Sequence, residues 1–374
     1  MKDDDVLPLP SLMEAWRPPT GGKRTLKGST LRIRSGGKGR GGAEGAPALS
    51  QAEARAKLER IVRKAPEVMV KISGKQRGAA HLAEHFGYVS RHGRLEVRSS
   101  EGEIITDEKR LKVIAADWDM LDQAMNPYGK DRPTSMSMVL SMPGGTTDAA
   151  TIHDAVQAFA RVEFEGQFAY MVALHTDTDH PHVHLTVATQ GEDGTRFNPR
   201  KADLHHWRES FAHELRQRGV AAEATPRRAR GHVQKRVRSP ALHLEARTAE
   251  QGRGLDIHRL TEERAAEFAR SAEPERRPED VAALGRQKFI RGAYAQAAAA
   301  LAATGKEDDL ALAEDVTSFV AAMPPAVSRR LERAREIMMA ERAAGGGVER
   351  SPETGKESGK TPDRERPKPR DRDR

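Results

Sequence analysis

The chain has 374 residues, a net charge of +8 and an isoelectric point near 9.7, so it can bury one sizeable core plus an accessory domain and carries the charge typical of nucleic-acid-binding proteins. On charge alone, a soluble basic protein that binds no nucleic acid is supported nearly as well. The absence of cysteine excludes disulfides and thiolate metal sites, and the absence of a secretory signal or a long apolar run predicts a cytoplasmic protein that does not insert into a membrane.

Residues 1–50 are rich in Gly, Pro, Lys and Arg, and the stretch between Glu14 and Glu44 contains eight basic residues and no acid. Such a composition cannot bury enough apolar surface to order itself, so it predicts a disordered basic arm. The composition supports two interpretations equally, an arm that binds phosphate groups loosely and a solvated tail without a partner.

Helix and strand signals alternate in the next part of the chain. The predicted elements are a helix at 52–63, a break at 74–76, a helix at 78–90 capped by Gly93, a hairpin of 94–98 and 103–106, a helix at 107–123, a strand at 136–141 and a helix from Asp148 to Glu163. Antiparallel hairpins with helices between them predict an α+β domain over residues 51–240, with one sheet covered on one side by helices.

The helix at 78–90 has two distinct faces. Leu82, Phe86 and Val89 share an apolar arc, whereas Tyr88 lies on a polar stripe. The other members of that stripe are His81, Glu84, His85 and His92.

Four histidines lie within ten residues of the segment 175–184, where the composition of the chain would place about 0.4 by chance. Residues 168–174 and 182–189 are rich in β-forming residues, and the polar stretch between them predicts the loop of a hairpin. If His175 lies opposite His182, then 173 faces 184, 174 faces 183, 172 faces 185 and 170 faces 187.

This register separates the side chains of the hairpin onto two faces. The apolar face carries Tyr170, Val172, Leu174, Val183, Leu185 and Val187. The other face carries His175, His182 and His184, which predicts a divalent metal site with positions open for substrate. The alternative is a histidine-rich strand surface that faces solvent. His180 lies in the loop and is not predicted to be a ligand.

Basic residues follow the hairpin, around a helix that ends at Gly219 and in the run at 226–238. They predict a phosphate-binding surface, with a solvated linker as the alternative for the run. The predicted DNA-binding residues in this part of the chain are Arg200, Lys201, Arg208, Arg227, Arg228 and Arg230.

The rest of the chain carries no chemical motif. Residues 241–281 predict a charged linker, and residues 344–374 predict a disordered Arg-rich tail. Residues 282–343 predict an Ala-rich module of three helices, broken at Gly305 and at Pro324-Pro325, that forms a small bundle or binds a partner.

A histidine-bound metal beside a basic surface suggests chemistry on a phosphodiester. The nucleophile is then a metal-activated water or a side chain, and Tyr88 is a candidate because it lies on the stripe that contains histidines. A phenol with a pKa of about 10 needs a metal or a base to attack at neutral pH, and a purely structural tyrosine stays open.

Three segments resemble the motifs of conjugative DNA relaxases of the T-DNA border endonuclease type, within the HUH endonuclease superfamily. They are Phe86–Val97 around the tyrosine, Leu140–Gly145 around a serine, and His175–Leu185. The segments Trp207–Phe211 and Thr225–Gly231 are also similar to that family, so the resemblance covers roughly residues 70–235.

The resemblance implies an α+β fold of the HUH relaxase type and a site- and strand-specific enzyme that nicks and rejoins DNA at a plasmid or mobile-element transfer origin. A tyrosine would form a 5′-phosphotyrosyl link, and the enzyme would pilot the strand in conjugative transfer. The implied partners are single-stranded origin DNA, relaxosome accessory proteins and a type IV secretion coupling protein.

The resemblance also implies roles for individual residues. Tyr88 would be the nucleophile; Ser141 would contact DNA beside the nick; Asp177 would orient a histidine or help to deprotonate the tyrosine; Arg91 would bind DNA; and His175, His182 and His184 would hold Mg²⁺, Mn²⁺ or another transition metal.

Two alternatives remain. One is a metal-dependent phosphoesterase that uses bound water, and the other is a non-enzymatic DNA-binding accessory protein with a structural metal. One departure from the family is also evident, because many relaxases carry the catalytic tyrosine close to the amino terminus, whereas a predicted disordered arm and a helix precede Tyr88.

Overall fold

A computed structural model of the chain divides into two compact units, formed by residues 1–234 with 277–327 and by residues 235–276 with 328–374. The residues that the structure describes are 6–18, 49–126, 132–178, 180–233, 244, 247, 262–267, 269, 278–327 and 329–345. In the second unit, Arg333 on a helix (Arg329–Gly345) pairs with Glu262 at 2.8 Å.

Six strands and eight α-helices are described in the first unit. The strands are β1 (Met69–Gln76), β2 (Val97–Ser99), β3 (Ile104–Ile105), β4 (Ser135–Ser141), β5 (Tyr170–His175) and β6 (His182–Ala188). The helices are α1 (Leu9–Trp16), α2 (Gln51–Val62), α3 (Gly78–Val89), α4 (Glu108–Met125), α5 (Ala149–Phe164), α6 (Lys201–Gln217), α7 (Pro278–Ala302) and α8 (Glu307–Ala321). A 3₁₀ turn spans Arg227–Arg230.

The six strands form one antiparallel sheet in the order β1-β4-β6-β5-β2-β3. The predicted α+β class is confirmed, and so is the predicted hairpin. β5 and β6 pair with His175 opposite His182, 173 opposite 184 and 170 opposite 187. β4 then pairs with the other edge of β6, so the histidine strand lies in the interior of the sheet.

Helices cover both faces of the sheet, which corrects the expectation of cover on one side only. The apolar face of the β5–β6 hairpin packs against α5 and α6, through residues such as Phe159 and Trp207. The opposite face of β2, β3 and β5 packs against α3 and α4, through Phe86 and Leu111. The prediction failed because Ala173 and Met171 make the histidine-bearing face apolar beyond its last few residues.

Strand β1 was missed, since the sequence reading placed only a break at residues 74–76. Val70 and Ile72 alternate towards the core as in a half-buried strand, but a register shift between Ile72 and Gly74 interrupts the pattern. Gly93 is likewise not the immediate cap of α3. The helix is capped by Ser90, and Gly93 follows at a φ of 80°.

A second core joins the two ends of the first unit. Helices α1, α2, α7 and α8 pack together, and the Trp16 indole donates to the Tyr294 hydroxyl at 3.1 Å. The prediction of a disordered arm is therefore wrong for residues 9–16, because Leu12, Ala15 and Trp16 bury an apolar face against partners far along the chain. Residues 19–48 of the arm lie outside the described residues.

The three predicted helices of the Ala-rich segment are present, with interruptions at Gly305 and around Pro324. The first two belong to the second core of the first unit and not to a separate module. Most of the predicted linker at 241–281 and the tail at 346–374 lie outside the described residues. None of the described helices is long and apolar enough to cross a membrane.

Candidate metal and nucleophile site

The three predicted histidines converge at one end of the sheet. His175, His182 and His184 each offer one ring nitrogen, and these nitrogens lie within 4.8 Å of one another. His175 and His184 are buried, and His182 is half-buried. The antiparallel register produces this convergence, because residues paired directly across two strands project from the same face.

Backbone carbonyls hold two of the imidazole rings by one nitrogen each. His175 donates from Nε2 to the Val89 carbonyl at 2.8 Å, and His182 donates from Nδ1 to the His180 carbonyl at 3.1 Å. These bonds leave Nδ1 of His175 and Nε2 of His182 as lone-pair donors. His180 therefore contributes a main-chain oxygen, and its side chain is not in the cluster of possible ligands found among the described residues.

His184 completes a triangle with these two rings, with its centroid 4.3 Å from that of His175 and 5.2 Å from that of His182. Both of its ring nitrogens are buried without a hydrogen-bond partner in the described structure. Burial, followed by the neighbouring His175 and His182, lowers the pKa of His184 to about 3. Burial also lowers the pKa of His175 below its usual range. A buried polar ring without a partner is costly, and neutral imidazoles are the form that binds metals, so the three residues fit a divalent metal site.

Tyr88 lies beside this cluster, in the last turn of α3. Its ring centroid is 6.3 Å from that of His175 and 6.0 Å from that of His184. Its side chain remains 53% exposed, although the histidines next to it are buried. A substrate can therefore reach the phenol from solvent while it approaches the histidines.

Arg91 folds back over Tyr88 just after α3 ends. Its φ of 52° lies in the left-handed region, which disfavours residues other than glycine by roughly 1–2 kcal/mol. This turn is closed by hydrogen bonds from His92 to the Gly87 carbonyl at 2.7 Å and from Leu95 to the Ser90 carbonyl at 2.8 Å. It brings the Arg91 guanidinium to 5.2 Å from the centre of the Tyr88 ring.

Asp177 holds Arg91 in this position. The two side chains form an ion pair, and an Arg91 nitrogen also lies 3.5 Å from Nδ1 of His175. Desolvation raises the pKa of Asp177, but the Arg91 charge and hydrogen bond outweigh it, so the pKa lies below its usual range. The site thus places a fixed positive charge between the tyrosine and the histidines.

Ser141 ends β4 directly opposite His182, so it shares the face and the row of the histidines. It is buried, with 6% of its surface exposed. The structure therefore brings together Tyr88, Ser141, Asp177, Arg91 and the three histidines.

The other predicted DNA-binding residues lie elsewhere. Arg208 belongs to α6, on the opposite face of the sheet, and donates to the Val70 carbonyl at 3.0 Å. Lys201 is exposed in the first turn of the same helix, and Arg200 is its N-cap. In the 3₁₀ turn, Arg230 pairs with Glu67 at 3.2 Å and Arg228 donates to the Arg17 carbonyl, so both have partners within the chain. Arg227 is the first residue of the same turn.

His85 was not singled out as a site residue, although the sequence placed it on the polar stripe of Tyr88. It lies one turn before the tyrosine, and its Nε2 is 2.9 Å from the Thr186 hydroxyl on β6. Burial lowers the pKa of His85 to about 4, so its ring is neutral near pH 7. The three-residue spacing from Tyr88 was the available signal, because it places both side chains on one face of the helix.

Comparison with known proteins gives evidence about the family that does not depend on the geometry of the site. Residues 89–220 match the family model described as relaxase, MobA/VirD2-like, nuclease domain, and this match begins one residue after Tyr88. The T-DNA border endonuclease VirD2 of Rhizobium radiobacter is 24% identical over 203 residues, which are 50% of this chain and 47% of that protein. The protein of the same name from Rhizobium rhizogenes is 23% identical over 207 residues, covering 51% and 48%.

The chain spans about half the length of the curated relatives that it matches. A chain from a solved structure titled Molecular Basis of Vancomycin Resistance Transfer in Staphylococcus aureus is 13% identical and covers 43% of this chain and 98% of its own length. Its TM-score of 0.28 is too low to support a structural argument. The sequence matches do not depend on it: residues 89–220 of this chain are similar to the nuclease domain of the MobA/VirD2-like relaxases, and the full-length relatives that it matches are T-DNA border endonucleases of the VirD2 type.

Proposed function

We propose that this protein nicks DNA at a transfer origin by tyrosine transesterification. The observation that carries the proposal is the exposed Tyr88 ring beside the buried rings of His175 and His184 in the histidine cluster. A phenol in this position can reach a phosphate that is bound beside the histidines. The name of the relatives, T-DNA border endonuclease, supports DNA as the substrate.

In the proposed step, the Tyr88 oxygen attacks the scissile phosphorus. The Tyr88 O–P bond forms as the bond from phosphorus to the 3′ oxygen breaks, the phenolic proton leaves to solvent or a base, and the 3′ oxygen takes up a proton. The products are a 5′-phosphotyrosyl link and a free 3′ hydroxyl. Because one ester replaces another, the same site can run the step backwards and rejoin the strand.

The residues present fit a divalent ion such as Mg²⁺ or Mn²⁺, held by Nδ1 of His175, Nε2 of His182 and one nitrogen of His184. Such an ion, when bound, polarises a phosphoryl oxygen as a Lewis acid. Three imidazole ligands also suit a softer transition metal. Val89 and His180 fix the tautomers of two rings through their carbonyls, so the ligand nitrogens are oriented before any ion binds.

Arg91 is proposed to bind a non-bridging oxygen of the scissile phosphate, because its guanidinium lies between Tyr88 and His175 and has N–H groups beyond those facing Asp177. Asp177 is proposed to position Arg91 and not to act as the base, since a carboxylate with a lowered pKa is a weak proton acceptor. Ser141 is proposed to contact DNA next to the nick, from its place opposite His182.

The partners proposed for this activity are single-stranded origin DNA, relaxosome accessory proteins and a type IV secretion coupling protein, in the cytoplasm of a donor cell. The excess of basic over acidic residues, 63 to 55, supports the nucleic acid. Arg200, Lys201 and Arg227 are proposed only as outlying phosphate contacts, since the first two begin α6, which packs on the opposite face of the sheet, and Arg227 lies in the 3₁₀ turn.

The test is incubation of the full chain with labelled single-stranded oligonucleotides from the transfer origin of its own replicon, with Mn²⁺ or Mg²⁺, followed by a denaturing gel. Wild type should give a protein–DNA band that survives denaturant, and Tyr88→Phe should abolish it. Tyr170→Phe is the matched control, because it removes a phenolic hydroxyl from the core on the other face of the sheet.

Two outcomes would replace the proposal. Cleavage that persists in Tyr88→Phe would assign the nucleophile to water or to another tyrosine, as in a metal-dependent phosphoesterase. A shift of DNA mobility without strand cleavage, under every metal tried, would instead support a DNA-binding accessory protein.

A further inference from the structure

The histidine face of the sheet continues beyond the histidines onto β4 and the edge strand β1. The cross-strand row through His175 and His182 runs on to Ser141 and then to Met69, and the next row runs from His184 through Val139 to Lys71. We call Met69, Lys71, Val139 and Ser141 the open face. Neighbouring strands lie about 4.8 Å apart, so β1 is about 10 Å from the histidine strand.

Helices α3 and α4 pack their apolar side chains against other strands of this side of the sheet, and the open face is buried at Ser141, half-buried at Val139 and exposed at Met69 and Lys71. The apolar cluster under these helices takes its strand residues from β2, β3 and β5, and none of its described members lies on β1 or β4. Met69 is 45% exposed, and Lys71 is exposed as well. An apolar surface and an ammonium group are therefore accessible to solvent beside the proposed catalytic cluster, on the same side of the sheet as Tyr88.

The charged side chains of β1 and of the residue that follows it are all basic. Between Glu67 and Glu84 the chain contains three basic residues, Lys71, Lys75 and Arg77, and no acid. A polyanion that reaches the histidines across β4 would therefore meet a positive edge. An exposed methionine, whose thioether is polarisable, gives an unpaired base an apolar contact that a base inside a duplex cannot make.

We infer that the open face binds the single-stranded DNA flanking the scissile phosphate, with Lys71 on a backbone phosphate and Met69 against a base. This inference rests on the proposed function, because the scissile phosphate defines where the strand must pass. It adds a surface that contributes to the affinity for DNA and takes no part in the cleavage step. A strand on this surface lies beside Tyr88 and does not need to cross α3.

Lys75 provides a matched control. It has the same charge, lies on the same exposed strand and pairs with Met136, whose side chain belongs to the core on the opposite face. Lysines are common on edge strands because they discourage edge-to-edge aggregation, and a lysine kept only for that purpose would behave like Lys75. Substitution of either exposed side chain should leave the fold intact, which thermal unfolding checks.

The experiment measures binding of fluorescein-labelled oligo-dT to the full chain by anisotropy, over roughly 50 to 200 mM salt, for wild type, Lys71→Ala and Lys75→Ala. Lys71→Ala should weaken binding by about fivefold to tenfold at low salt. It should also make the slope of log affinity against log salt shallower by about 0.7, the value for one phosphate contact on a single strand. Met69→Ala should weaken binding without changing the slope, whereas Met120→Ala on α4 should not affect it.

Equal effects of Lys71→Ala and Lys75→Ala would overturn the inference, and so would duplex DNA that binds as tightly and responds equally to Lys71→Ala. Failure of the proposed function is distinguishable, because origin DNA would then be cut by Tyr88→Phe as well as by wild type, or by neither, whatever the Lys71 variants do to oligo-dT binding. Loss of the adduct in Tyr88→Phe with oligo-dT affinity unchanged is the result expected if both are correct.

Discussion

Replacing Arg91 separates its role in catalysis from its role in stability. The Arg91–Asp177 pair is partly exposed, with 36% and 51% of the two side chains accessible, so solvent screens it and it contributes little to folding. The same guanidinium lies 5.2 Å from the Tyr88 ring and 3.5 Å from a nitrogen of His175. Loss of one donor to a developing charge in such a site costs about 3–4 kcal/mol of transition-state stabilisation.

Arg91→Ala should therefore slow single-turnover cleavage of origin DNA by about 10²–10³-fold, with a melting temperature close to that of wild type. Asp177→Asn should be slower by a smaller factor, and raising the pH should not restore it, because Asp177 positions Arg91 and does not accept the proton. A rate for Arg91→Ala within threefold of wild type would refute the assignment. So would an Asp177→Asn rate that recovers as pH rises, which would identify Asp177 as the base.

Three further predictions concern stability, metal binding and pH. Glu223 is buried and pairs with Lys57 at 3.1 Å, so Glu223→Ala should lower the free energy of unfolding by about 3–5 kcal/mol in a denaturant titration, whereas Glu59→Ala, at an exposed pair, should change it by less than about 1 kcal/mol. His184→Ala should weaken Mn²⁺ binding in calorimetry by at least about a hundredfold, and His153→Ala on α5 should not. Burial lowers the pKa of His85 to about 4, so the unfolded chain binds its proton more tightly. Stability should fall as the pH drops from about 6.5 towards 4, and His85→Gln should flatten that fall in metal-free protein.

The histidine cluster could be predicted from the sequence because its geometry is local. Once the loop between two β-rich runs is recognised, the period of two fixes which side chains share a face, and a register with His175 opposite His182 puts the other pairs in place. The position of Tyr88 beside the cluster could not be predicted from the strand pattern, since its distance from the histidines depends on how α3 crosses the sheet. The helical wheel gave its face, and the family resemblance supplied the association.

Other features could not be predicted because they depend on partners distant in sequence. Helix α1 has eight residues, too few to be stable alone, and it is ordered by contacts such as that of Trp16 with Tyr294, 278 residues away. The assignment of Arg228 and Arg230 to DNA failed to anticipate their protein partners for the same reason. A basic run looks identical in sequence whether its side chains face phosphates or carbonyls and carboxylates of the same chain.

On the histidine side of the sheet, α3 and α4 cover β2, β3 and β5, whereas the edge strand β1 has exposed residues. The candidate site lies between these two regions. Where α3 and α4 cover the sheet, burial keeps His85 and His184 neutral and so available as proton-free nitrogen donors. Where the cover ends, Tyr88 and Lys71 are exposed. Full cover would exclude the substrate, and no cover would leave the imidazoles to compete with protons near pH 6.5. On the inference above, the exposed Met69 and Lys71 of β1 give a single strand a path along the sheet to Tyr88 and the histidines.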